Sequence, residues 1–195
     1  MGLAKTKRIV GIDEYIEGEE LSEIRYEYIY GEVYAMAGAS DTHNVIVGNI
    51  FGNLWTHLRN AKCQGFSENM KLKADQATFY YPDVMVACDE KPKSTFYREE
   101  PILLVEVLSP STERTDRHEK LTVYKNIPSL QEYLIVWQDK IYIEIHRRQA
   151  DNSWQTESYD EIDDSVKLNS IDFTLTLGEI YRRVDFSIKP DEFHH

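Results

Sequence analysis

Two carboxylates stand where apolar surroundings are expected. Glu106 interrupts the run Ile102, Leu103, Leu104, Val105, Val107 and Leu108, and Asp83 follows Pro82 at the entry to Val84-Met85-Val86-Ala87. Lys120 comes soon after the Glu106 segment, with Tyr124 four residues later on the same face of an expected helix. An ionised carboxylate in an apolar interior is costly unless it is paired, metal-bound or neutralised. Two carboxylates on neighbouring strands repel each other unless a cation sits between them. Mg²⁺, or Mn²⁺, suits such a pair, because it takes one or two protein carboxylates and completes its shell with water and phosphate oxygens. A lysine beside it can orient or deprotonate an attacking water, or offset charge on a phosphorane. The set outlines metal-assisted phosphodiester hydrolysis, with Asp83 and Glu106 as ligands, Lys120 assisting and Tyr124 positioning the lysine or a phosphate. A plainer reading has Asp83 capping a turn and Glu106 ending a strand in solvent.

The elements that must position these groups can be read from periodicity. Residues 12–23 read as a short acidic helix, and 25–38 as a hairpin turning at Gly31. Residues 39–60 give the clearest helix: Ser40 or Asp41 can cap it, and Val47, Ile50, Phe51, Leu54 and Leu58 follow helical spacing. Segments 66–73, 77–88 and 101–109 are strand-like. A polar helix is expected over 115–126, capped by Asp116 with Glu119 as its capping-box partner, and stopped at Ile127-Pro128. Segments 132–137 and 140–148 read as two further strands, and 175–184 as a closing helix. The continuous apolarity of 82–87, 101–108 and 132–137 is that of parallel strands buried on both faces. The order fits an α/β or α+β fold, a mixed sheet flanked by helices.

At 195 residues, one domain is the simplest account, with a helix and hairpin in 1–40, the motifs in 41–137 and strands plus a helix in 138–195. A hydrophobic content of 42% and a charged content of 29% are those of an ordinary globular chain. No run is long enough to cross a bilayer, and the N-terminus lacks the apolar core of a signal peptide. Cys63 and Cys88 are read as free thiols in a reducing compartment, which makes the cytoplasm the expected location. A formal net charge of −12 argues against a broad basic coat for nucleic acid, although bound divalent metal can offset an acidic average.

Residues 82–90 and 101–137, extended upstream through 26–54 and downstream through 175–181, resemble the Uma-two family of restriction-endonuclease-like proteins. That family is grouped with the PD-(D/E)XK nuclease superfamily. The resemblance rests on Pro82-Asp83, on the segment EVLSPST at 106–112, and on Asp116, Lys120 and Tyr124 spaced four apart. It implies a three-layer restriction-endonuclease-like core and Asp83 and Glu106 as ligands of a divalent metal. The superfamily's lysine two residues after the second acid is replaced here by Leu108, which implies that Lys120 supplies it from the following helix. An early acid, Glu27 or preferably Glu32 after the Gly31 turn, would join the site. The resemblance also includes His43, expected as a substrate contact.

Arg114, Arg117, Arg147 and Arg148 are the basic positions to place near a phosphate backbone, with solvated surface as the commoner role. Ser109 lacks a nucleophile elbow, and His194 and His195 are set aside as a tag remnant. The expected activity is divalent-metal-dependent endonucleolytic cleavage of DNA, and the resemblance implies a homodimer with two symmetric sites. Its rivals are an idle nuclease-fold binding module and a hydrolase of smaller phosphoesters.

Overall fold

Apart from Glu106 and Glu132, the segments at 101–108 and 132–137 are apolar because both faces of their strands are covered. The computed structural model describes residues 8–36, 38–89, 91–108 and 119–187. In chain order the elements are α1 (Ile12–Leu21), β1 (Tyr26–Ile29), β2 (Glu32–Ala35), α2 (Asp41–Leu58), β3 (Gln64–Ser67), β4 (Lys71–Asp75), β5 (Thr78–Tyr80) and β6 (Val84–Ala87). There follow β7 (Tyr97–Arg98), β8 (Pro101–Leu108), α3 (Leu121–Tyr124), β9 (Glu132–Trp137), β10 (Ile143–Arg148), β11 (Trp154–Tyr159), β12 (Ser165–Leu168), β13 (Phe173–Thr176) and α4 (Leu177–Ile180). Asp116, Ser109, Arg114, Arg117 and the terminal histidines lie outside the described residues.

A six-stranded mixed sheet, in the order β11-β10-β9-β8-β6-β3, is central. Side-chain alternation divides its two faces. Val84, Val86, Leu103, Val105, Val107, Leu134 and Val136 turn one way, onto Ile46, Val47, Ile50, Leu54 and Leu58 of α2 and the small β12–β13 hairpin. Full burial of each such side chain contributes about 1.5–3 kcal/mol. Met85, Leu104, Leu108, Tyr133, Ile135 and Trp137 turn the other way, onto Leu72 and Tyr80 of a second sheet and Tyr124 of α3. That second sheet has the order β2-β1-β5-β4-β7. The mixed α/β architecture is the expected one, with a difference in the third layer, which is built largely from this second sheet.

Two expectations about these elements need correction. Only the β8–β9 pair of the central sheet is parallel, and β6 runs antiparallel to β8. Continuous apolarity reports burial on both faces, which an antiparallel strand between two layers also meets. Within the sheet β10 lies between β9 on one side and β11 on the other. The closing helix is also shorter than its apolar spacing implies. Leu175 pairs with Val166 in a strand, and the helix begins only at Leu177, after a Thr176–Glu179 capping box.

The thiol expectation is overturned as well. Gln64 and Ala87 are register partners of β3 and β6, so Cys63 and Cys88 fall opposite each other one step further, and the two form a disulfide. This removes the ground on which a reducing compartment is expected. The hairpin turn is as expected: Tyr30 and Gly31 have φ of 48° and 93°, and a side chain at Gly31 would meet Ile9. The exposed His57 brings its Nε2 to the Ile171 carbonyl and lays its ring near Phe173.

Candidate active site

Glu106 is even-numbered in β8, so it points with Leu104 and Leu108 toward the second sheet and α3, and it is 3% exposed. Its partners come from the crossover that follows. Lys120 Nζ lies 3.2 Å from Glu106 Oε1, and the Tyr124 hydroxyl donates to the same oxygen at 2.8 Å. The four-residue spacing that puts Lys120 and Tyr124 on one face is thus used in full. Residues 119 and 120 form a wider helical turn just before α3. Leu108, two residues after Glu106, is buried in the apolar layer.

Lys120 bridges to a second carboxylate, 3.0 Å from Glu27 Oε1. Cross-strand pairing puts Glu27, Ile29, Glu32 and Tyr34 on one face of the β1–β2 hairpin. Of the two early acids, Glu27 makes the contact to Lys120. Glu32, preferred for its place after Gly31, instead accepts a hydrogen bond from the Tyr34 hydroxyl. Proximity to a turn said nothing about depth in the hairpin. Glu27 also accepts from the Tyr81 amide at 3.4 Å, which ties it to the segment leading into Asp83.

Asp83 sits on the neighbouring side of β8. Val84 pairs with Val105, and one register step back Asp83 stands opposite Glu106. Its Oδ2 accepts from the Val107 amide at 2.6 Å and lies 3.3 Å from His43 Nε2. His43 is in the first turn of α2, where Ser40 caps its amide at 3.1 Å, and the Ser40 hydroxyl donates to Gln138 at 2.6 Å. The cap fixes the height at which the imidazole leaves the helix. Sequence reasoning missed Glu68, which follows β3 with φ of 43° and donates its amide to the Asp83 carbonyl at 3.0 Å. Ligand atoms of His43, Glu68 and Asp83 all lie within 4.8 Å of one another. The only signal for Glu68 is its place opposite Asp83 in the extended β3–β6 register.

The arrangement is rich in negative charge. Among the described residues, Glu27, Glu68, Asp83 and Glu106 contribute four carboxylates, against the ammonium of Lys120 and the His43 ring. Such a donor set fits a divalent cation, because the surplus charge is otherwise left in a partly desolvated place. Arg147 and Arg148 are placed elsewhere. Arg147 is buried against Glu132 and Glu157, while Arg148 donates to the Lys125 and Ile127 carbonyls at the end of α3 and stacks on Trp154. Both guanidinium groups are engaged within the protein, and Arg148 holds the helix that carries Tyr124.

The phenols lining the site are held protonated. Burial, and then Glu106 beside it, pushes Tyr124 well above the ordinary tyrosine range, and burial followed by Glu27 raises Tyr80. A folded pKa above the unfolded value near 10 gives stability that is complete below about pH 10 and lost as pH rises through the folded value. Urea midpoints are therefore expected to fall between pH 9 and pH 11. The fall should be shallower in Tyr80→Phe and Tyr124→Phe, and an unchanged slope would exclude these phenols as its cause.

The family model Uma2, "Putative restriction endonuclease", matches residues 12–178. Two relatives from Synechocystis sp. (strain ATCC 27184 / PCC 6803 / Kazusa) are similar over most of the chain. "Uncharacterized protein slr1290" is 35% identical over 176 residues, which is 89% of this chain and 92% of that protein. "Uncharacterized protein sll1609" is 34% identical over 159 residues, 79% of this chain and 89% of that protein. The crystal structure of "a putative nuclease belonging to DUF820" from Anabaena variabilis ATCC 29413 superposes with a TM-score of 0.73 at 19% identity, covering 91% of this chain and 98% of that one.

Proposed function

Because the chain belongs to the Uma2 family of restriction-endonuclease-like proteins, we propose that it is a divalent-metal-dependent endonuclease that hydrolyses DNA phosphodiester bonds. The observation that carries this reading is the buried Glu106–Lys120–Tyr124 set one residue from the Asp83 carboxylate's anchor at Val107. Asp83 is the ligand-bearing acid. When bound, a divalent cation offsets phosphate charge and makes an attacking water more acidic.

The protein's own groups then divide the remaining work. Glu106 and Glu27 hold Lys120 in place, so that its ammonium orients the water or offsets the charge that grows on phosphate. The Tyr124 hydroxyl, packed between the rings of Tyr80 and Tyr133, keeps Glu106 from rotating away. The apolar layer around Leu104 and Leu108 excludes bulk water from that side. DNA is the proposed partner, and a symmetric pair of copies would cut both strands. No helix among the described residues is long and apolar enough to cross a membrane.

The test incubates purified protein with supercoiled plasmid and with single-stranded DNA, in Mg²⁺, in Mn²⁺ and in EDTA. Nicking or linearisation in metal, absent in EDTA, supports the reading. Metal-dependent hydrolysis confined to nucleotide-sized diesters would replace it with a small-phosphoester hydrolase. DNA binding with no hydrolysis in any metal would replace it with a binding module.

A further inference from the structure

We propose that His43, Glu68 and Asp83 together bind a first-row transition dication, with Mn²⁺ as its working probe, in preference to Mg²⁺. The proposal rests on the nuclease reading and names the ion that site takes. The expectation from sequence pairs Asp83 with Glu106 as ligands. In the folded chain Glu106 is engaged by Lys120 and Tyr124, whereas the three donors gathered within 4.8 Å are an imidazole nitrogen and two carboxylates.

Donor chemistry decides the ion. Mg²⁺ is bound through oxygen and keeps most of its water, so a nitrogen donor adds little to its affinity. Imidazole favours the first-row transition ions, which accept mixed nitrogen and oxygen shells. His43 meets the geometric demand: it is nine-tenths buried, its amide is capped by Ser40, and its Nε2 faces Asp83 at 3.3 Å. Asp83 is held by the Val107 amide, and Glu68 by its own amide on the Asp83 carbonyl. The three residues come from α2, from the residue after β3 and from the entry to β6. No unfolded chain presents them together, so the ion should also stabilise the fold.

The experiment reads metal binding without DNA. Pulsed electron paramagnetic resonance on wild-type protein with Mn²⁺ should show coupling to a ¹⁴N nucleus, and Mn²⁺ should raise Tm more than equal Mg²⁺. His43→Gln should lose the coupling and bind Mn²⁺ about tenfold or more weakly in calorimetry, and Glu68→Gln should weaken it while keeping the coupling. Mn²⁺ bound with no nitrogen coupling would overturn the proposal, as would a Mn²⁺ affinity unchanged in His43→Gln. No Mn²⁺ binding by wild type would overturn it too. The coupling is read on wild type, so the proposal stays testable even if a variant fails to fold. DNA cleaved by protein lacking the coupling refutes this site and leaves the nuclease reading standing. Coupling with no cleavage does the reverse.

Discussion

Replacing Asp83 by asparagine is expected to lower metal-dependent DNA cleavage about a thousandfold or more while leaving the fold intact. The side chain keeps its shape and an acceptor for the Val107 amide at 2.6 Å, so β6 and β8 stay joined. What disappears is the negative charge toward which His43 and Glu68 converge. Loss of a ligand charge removes several kcal/mol of transition-state stabilisation, and about 4 kcal/mol corresponds to a thousandfold in rate. In EDTA the variant should unfold at the same urea concentration as wild type or higher, because one of four crowded carboxylates is gone. Cleavage rates in Mn²⁺ and urea curves in EDTA check the two halves. Wild-type cleavage by the variant would remove Asp83 from the mechanism. Collapse of the fold would make it a structural cap.

The second large effect concerns Lys120, and it falls on stability as well as on rate. Lys120→Met is expected to destabilise the protein by about 3–5 kcal/mol, the cost of leaving buried charge without its partner. Glu27 and Glu106 would then face each other across a thioether, with side chains only 14% and 4% exposed. The double variant Lys120→Met with Glu106→Gln should recover a large part of that loss, since the glutamine still accepts from Tyr124 and carries no charge. Neither variant should cleave DNA. Urea denaturation of the two singles and the double gives the coupling directly. If the two losses simply add, the contact seen between Lys120 and Glu106 does not govern their energetics.

Much of this site is legible in the sequence, for identifiable reasons. Glu106 announces itself because a carboxylate within six apolar neighbours demands a partner. Lys120 and Tyr124 follow because helical spacing is a local property. The Ser40 cap and the Tyr30-Gly31 turn are local too, and both stand where expected. What escapes is set by register between distant strands. Choosing Glu27 over Glu32 needs the tilt of a hairpin against α3. Glu68 and the Cys63–Cys88 bond need the β3–β6 pairing, which no short-range pattern encodes.

Parallel strands cannot be joined by a tight turn, so β8 and β9 meet only through a long crossover. Lys120 and Tyr124 lie on that crossover, 14 and 18 residues from the glutamate they hold. This segment therefore carries its own counter-ion, and it can collapse during folding without stranding a bare charge in an apolar layer. Glu27 arrives from a hairpin far earlier in the chain. It is synthesised first, yet it meets its cation only after the crossover has been made and folded. Docking that hairpin adds Glu27 to the carboxylates already gathered at Asp83, Glu68 and Glu106, so a bound cation would favour that step.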